Sequence, residues 1–120
     1  MNKQSLLSAF RYAFQGLSAF IRTDRNGRIH IGAALLAVAG GFFFSISAVE
    51  WCLVLFCCGL VCCTEMLNHA LEKLCDAVHP EKHPLIKQAK DVAAAAVLFA
   101  SLISAITGLI IFLPKFISLL

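Results

Sequence analysis

Residues 92–113 run for 22 positions without a charge. At about 1.5 Å per helical residue, such a stretch reaches about 33 Å, enough to cross a hydrocarbon core of about 30 Å. A second uncharged run, residues 51–64, has only 14 positions and stops short of that length. It leads straight into TEMLNHALEKLCD, residues 64–76, which carries Glu65, Asn68, Glu72 and Asp76. The run is long enough to span only if its helix continues through this acidic stretch. A carboxylate at membrane depth costs roughly 2.5–3.5 kcal/mol on insertion scales, so a chain that places several there has a use for them.

Composition agrees with a bilayer as the solvent. Of the 120 residues, 60% are hydrophobic and mean hydropathy is +0.85, against about 45–50% apolar residues in soluble domains. We expect an all-α integral membrane protein made of one unit, residues 1–120. An amphipathic surface helix is expected over about 5–21, where Leu6, Phe10, Phe14, Leu17 and Ile21 recur at helical spacing. Lys3, Gln4, Arg11, Gln15 and Arg22 occupy its other faces; the same pattern also suits a helix packed on protein. The polar stretch RTDRNGR, residues 22–28, is expected to break it. Three spans follow, at about 29–48, 51–75 and 92–113. Gly40 and Gly41 in the first allow close helix contact, and Ala96, Ala100, Ser104 and Gly108 form a small-residue packing stripe in the third. HPEKHP, residues 79–84, reads as a loop with Pro84 opening the next helix, and Pro114 and Lys115 are expected to end the last span. The first residues lack a long apolar core and a small-residue cleavage site, so the spans themselves are expected to direct insertion.

Net charge is +3, and its distribution is more informative than its size. Lys3, Arg11, Arg22, Arg25 and Arg28 precede the first span, and Lys73, Lys82, Lys87 and Lys90 lie between the second and third. The turn between the first two spans carries Glu50 and no Lys or Arg. The positive-inside rule then places the N-terminus and the 73–90 segment in the cytoplasm. These dispersed charges form no continuous basic patch, which argues against a nucleic-acid partner. Cys52, Cys57, Cys58, Cys62 and Cys63 crowd the second span. Their doublets invite a metal or redox reading, but they lack the C-x-x-C spacing and a neighbouring histidine, and cysteine also serves as a small apolar residue.

The acidic residues share one helix face. At about 100° per residue, with Glu65 at 0°, Asn68 falls at about 300°, Glu72 at about 340°, Asp76 at about 20° and His69 at about 40°. Met66, Leu67, Ala70, Leu71 and Leu74 take the opposite side. Such a face belongs in a wet, protein-lined cavity. With Asp24 in the preceding polar turn, it suits a hard divalent cation that keeps waters and phosphate oxygens. Lys90 beside Asp91 offers a point charge for phosphate, and a carboxylate can take a proton from an alcohol. These parts fit phosphoryl transfer at the lipid–water boundary. They also leave open an ion-handling transporter and a non-enzymatic membrane subunit. No Gly-rich loop followed by Lys and Ser or Thr is present, so nucleotide use would follow another design.

EMLNHALEKLCD followed by EKHPLIKQAKDVAAAAVL resembles the bacterial diacylglycerol kinase family, small integral-membrane lipid kinases that include undecaprenol kinases. The family pattern Glu-x-x-Asn-x-Ala-x-Glu-x-x-x-Asp is met by Glu65, Asn68, Ala70, Glu72 and Asp76, and its Ala-Lys-Asp by Ala89, Lys90 and Asp91. FRYAFQGL and RNGRIH resemble its N-terminal part. The resemblance implies a homotrimer in the bacterial inner membrane with composite sites at helix interfaces. It implies ATP with Mg2+ as phosphate donor and a lipid alcohol as acceptor: diacylglycerol first, with undecaprenol as the alternative. It further implies Glu65 as general base, Glu72 and Asp24 as metal ligands, Asn68 as a positioning group and Lys90 on the phosphates. Asp76, Asp91, Glu81, His83 and Tyr12 fall at positions linked with nucleotide binding or site order. Lys90 with Asp91 also suits a solvated pair, Asp76 a helix boundary, and His83 ordinary loop surface. Two departures stand out. Asp24 replaces a Glu and is one methylene shorter, and His69 replaces a Ser or Thr.

The charge pattern predicts an N-in, C-out chain. On a background with the native cysteines replaced, a cysteine at Ser118 should react with an impermeant reagent from outside. One at Glu81 should react only from inside; the reverse pattern would overturn the topology.

Overall fold

The computed structural model describes residues 5–120. Four helices follow one another: α1 (Leu6–Thr23), α2 (Arg25–Phe43), α3 (Ala48–Val78) and α4 (Pro84–Ile117). No strand occurs among the described residues. The amphipathic helix is present as α1, opened by Ser5, whose hydroxyl accepts from Ser8 N at 3.2 Å. Lys3 and Gln4 of its expected polar face lie outside the described residues. Only Phe20 of α1 is buried, and Leu6, Phe10 and Phe14 are exposed.

The break expected over residues 22–28 is confined to Asp24, which is extended at φ −108° and ψ 107°. Arg25, Asn26, Gly27 and Arg28 are already helical. Two contacts explain why a loop-like sequence folds this way. Arg28 Nη1 donates to the carbonyls of Ile21 at 2.9 Å and Arg22 at 3.0 Å, satisfying the open end of α1. Gly27 lets the Phe20 ring close on α2; a Cβ there would stand 2.4 Å from Phe20 Cζ.

The helix α2 ends at Phe43 rather than near residue 48. Ser45 turns the chain with φ 50°, and Ser47 with Glu50 forms a reciprocal capping box that starts α3 at Ala48. The expected glycine contacts are present: a Cβ on Gly41 would lie 2.6 Å from Trp51 Cη2, and one on Gly40 3.3 Å from Phe112 Cε1. Three spans were expected, whereas two helices among the described residues, α3 and α4, are long and apolar enough to cross a membrane. The reason lies in α2 itself. Its polar start through His30 leaves about 13 apolar residues, about 20 Å of helix.

The helices α3, with 31 residues, and α4, with 34, both outrun the expected spans. His83 caps α4 by accepting from Leu85 N at 3.1 Å, with Pro84 in the first turn as expected. At the other end the helix passes Pro114 and stops at Ile117. Lys115 Nζ donates to Glu50 Oε2 at 2.7 Å, holding the last turn of α4 against the first turn of α3. The two helices therefore run antiparallel. Ala100 is buried in the small-residue stripe, and Ser104 Oγ donates to the Cys57 carbonyl at 3.4 Å. Gly108, farther along that stripe, faces open space. All six cysteines are free.

Little of this apolar chain is inside it. Leu98 is 68% and Phe99 69% exposed, as in a protein whose surroundings are themselves apolar. The radius of gyration is 17.7 Å, against about 13.6 Å for a globular domain of this length.

Gly27→Ala should destabilise the fold. Relieving the clash with the buried Phe20 ring costs about 1–3 kcal/mol, which exceeds the gain of about 1 kcal/mol in helix propensity. Thermal unfolding in micelles should show a lower midpoint, partly recovered when Phe20→Leu is added.

Candidate active site

The site forms where the α1–α2 joint meets the middle of α3. Asp24 is the joint, and its carboxylate is turned inward; the residue is 9% exposed. From α3 come Glu65 and Asn68, 3% and 8% exposed, with Glu72 one turn farther on. Glu65 stands close enough to Asp24 and to Glu72 for their charges to interact. Asn68 Nδ2 donates to Glu72 Oε1 at 3.4 Å. The face read from the 3.6-residue period thus closes against Asp24, the acidic residue of the α1–α2 joint.

Two histidines complete the wall. His30 of α2 brings Nε2 to 3.9 Å from Glu65 Oε2. His69 of α3 places Nδ1 at 3.6 Å from Asp24 Oδ2 and Nε2 at 3.0 Å from Thr23 Oγ1. His30 has no role in the sequence reading, whereas His69, at about 40° on the acidic face, falls there where it can border the site or serve only as a polar neighbour, and the structure puts it at the border. A signal for His30 was present: it lies three residues after Gly27, on the helix face that Gly27 marks as packed.

The cluster lacks a permanent cation. Among the described residues, no Lys or Arg forms an ion pair with Asp24, Glu65 or Glu72, and Arg28 is committed to the end of α1. Asp24 Oδ2 and Asn68 Oδ1 are buried without a hydrogen-bond partner. Buried oxygens left in this state mark a place for a bound ion or water. No three His, Cys, Asp or Glu side chains among the described residues form a closed metal centre. The residues present nevertheless fit a cation such as Mg2+, which takes one or two carboxylates and fills its remaining positions with water and phosphate.

The other expected site residues are arranged differently. Lys90 Nζ donates to Asp76 Oδ1 at 2.6 Å, joining the end of α3 to the start of α4. Asp91 accepts from Lys87 at 2.6 Å in an exposed pair one turn apart. His83 caps α4, and its ring stands 5.3 Å from that of His79. Glu81 contributes its carbonyl to His79 Nδ1 at 3.0 Å. Tyr12, half-exposed on α1, lies under the Arg11 guanidinium at 5.4 Å. Among the described residues, Tyr12, Glu81, His83 and Asp91 make no hydrogen bond or ion pair to the carboxylate cluster.

Beside the cluster, a cavity of about 290 Å3 opens between α2, α3 and α4. His30 stands in its wall, and Ala34, Val54, Val61 and Ala105 give it an apolar lining. An oxygen-rich, uncompensated cluster thus adjoins an apolar chamber, an arrangement suited to a substrate with a polar head and an apolar body.

Residues 11–112 match the family described as prokaryotic diacylglycerol kinase. The chain is 40% identical to the undecaprenol kinase of Bacillus subtilis (strain 168) over 107 residues, covering 89% of this chain and 87% of that protein. It is 37% identical to a diacylglycerol kinase of Synechocystis sp., over 97% of this chain and 67% of that protein. With the diacylglycerol kinase of Escherichia coli (strain K12) identity is 32%, over 92% and 91% of the two chains. The chain belongs to the prokaryotic diacylglycerol kinase family. It is by that membership a lipid kinase.

Proposed function

We propose that this lipid kinase transfers the γ-phosphoryl group of ATP to the hydroxyl of a membrane lipid alcohol at the cytoplasmic face of the bacterial inner membrane. The observation that carries this reading is the pair of buried carboxylates Asp24 and Glu65, with Glu72 exposed one turn farther along α3, none of them ion-paired with Lys or Arg among the described residues, beside an apolar cavity. The lipid's chains occupy apolar space beside α2, α3 and α4, which brings its hydroxyl to Glu65. There Glu65 accepts the hydroxyl proton as the oxygen attacks phosphorus. Glu72 and Asp24 hold Mg2+, which when bound neutralises charge on the transferring phosphates. Asn68 orients Glu72.

Lys90 holds the phosphates after leaving Asp76. That exchange is cheap, because solvent screens an exposed ion pair and leaves it little net stability. Tyr12, Asp76, Glu81, His83 and Asp91 surround the nucleotide. In this reading the chain works as a homotrimer, N-terminus inside, with α2 as a third, shorter traverse whose residues 25–30 sit in the headgroup layer. The uncovered faces of α1 and α4 then meet neighbouring copies and lipid.

Two acceptors fit a hydroxyl beneath long apolar chains. Diacylglycerol is the acceptor named for most of the relatives above. A second reading, undecaprenol, is favoured by the 40% identity with the Bacillus subtilis protein, against 37% and 32% with the two diacylglycerol kinases.

Purified protein in mixed micelles, given labelled ATP and each lipid in turn, should phosphorylate at least one of them in a Mg2+-dependent manner. The lipid with the higher kcat/KM decides the acceptor, and no lipid-dependent transfer to either would overturn the kinase reading. Glu65→Gln keeps the shape of the side chain but cannot take the proton. It should lower kcat roughly 10²-fold or more with little change in KM for ATP, while size-exclusion elution is unchanged. A folded variant with near-normal kcat would remove Glu65 from the mechanism.

A further inference from the structure

The contacts around His69 are compatible with a proton on its far nitrogen, Nε2. Thr23 Oγ1 donates its single proton to the Ala19 carbonyl at 2.7 Å. The same oxygen lies 3.0 Å from His69 Nε2, and with its proton already placed it can only accept there. In that arrangement Nε2 carries the proton, and Nδ1 of the neutral ring presents a lone pair. The Phe20 ring stands edge-on to the imidazole at 5.8 Å and 71°, so the ring is held from a second side. Phe20 is itself fixed by its close approach to Gly27.

The lone pair faces Asp24. Oδ2 of that carboxylate is 3.6 Å from Nδ1, buried, and without a donor. Two lone pairs converging on one buried gap repel each other until a positive charge enters it. A histidine whose far nitrogen is tied down by a hydrogen bond has the arrangement of a metal ligand, because that second bond orients the ring and sets its tautomer. The spacing is also suitable. With metal–ligand bonds of about 2.1 Å, donors 3.6 Å apart subtend about 120°, and closure by about 0.6 Å gives the right angle of an octahedral edge.

We infer that His69 Nδ1 ligates the divalent cation of this site together with Asp24 Oδ2. The donor set is then mixed nitrogen and oxygen. Imidazole favours first-row transition metals over Mg2+, so this protein binds Mn2+ better than an all-oxygen site would. The inference rests on the proposed reading in which Asp24 holds the cation.

The test uses Mn2+ as the probe and needs no turnover. Full-length protein in micelles, in a buffer free of amines, is titrated with Mn2+, and the bound ion is examined by pulsed electron paramagnetic resonance. A directly bonded nitrogen should appear as a 14N coupling, replaced by a 15N coupling in protein grown with 15N-histidine. His69→Gln retains an amide donor for Thr23 and removes the ligand. It should lose the coupling and weaken Mn2+ binding roughly 10-fold or more. Competition should show Mg2+ affinity falling less, which narrows the preference. His30→Gln should keep the coupling, and this holds the assignment to His69 even if His69→Gln does not fold.

Bound Mn2+ without nitrogen coupling overturns the inference, as does coupling that survives in His69→Gln. If that nitrogen-free Mn2+ is lost in Asp24→Asn, the histidine ligand alone has failed and the Asp24 reading stands. Mn2+ binding that is absent in the parent, or unaffected by Asp24→Asn, fails both.

Discussion

Carboxylates withdrawn from water with no Lys or Arg to balance them are the constraint around which this small fold is arranged. Asp24, Glu65 and Asn68 are among its most buried residues, in a chain that keeps many of its large apolar side chains outside. Such a cluster is tolerated only where other groups or a bound cation make up the lost solvation. The two histidines, the joint at Asp24 and the apolar cavity all adjoin it.

The joint is economical in its materials. One extended residue separates α1 from α2, and the groups around it serve more than one end. Arg28 closes the carbonyls of α1. Phe20 packs on Gly27 of α2 and on His69 of α3. Thr23 links the end of α1 to His69. Moving any one of these displaces Asp24, so the position of a candidate metal ligand is set by packing among three helices.

The ends of the long helix pair are tied by charge in a different way. Lys115 with Glu50 closes one end of α3 and α4, and Lys90 with Asp76 the other. The first pair is partly buried and shares Glu50 with a capping box. The second is largely exposed, which leaves Lys90 free to change partners at little cost. The same residue types thus act as a clamp at one end and as an exchangeable contact at the other.

Sequence by itself determined the helical class, the long apolar runs, the acidic face of α3 and the family motif, because each rests on a local period or a contiguous pattern that needs no partner. It placed Pro84 at a helix start and marked Gly40 and Gly41 as contact points for the same reason. It misjudged residues 22–28: Arg28 and Gly27 read as loop formers until the carbonyls of α1 and the Phe20 ring supply their partners. It let the first span run too far, since a short polar turn at Ser45 and Ser47 is invisible inside an apolar stretch. Only the tertiary structure decided that His30 reaches Glu65 and that His69 reaches Asp24 and Thr23, contacts spanning 35 to 46 residues of chain. No local pattern encodes such contacts. They arise when three helices pack, and packing is a property of the whole chain.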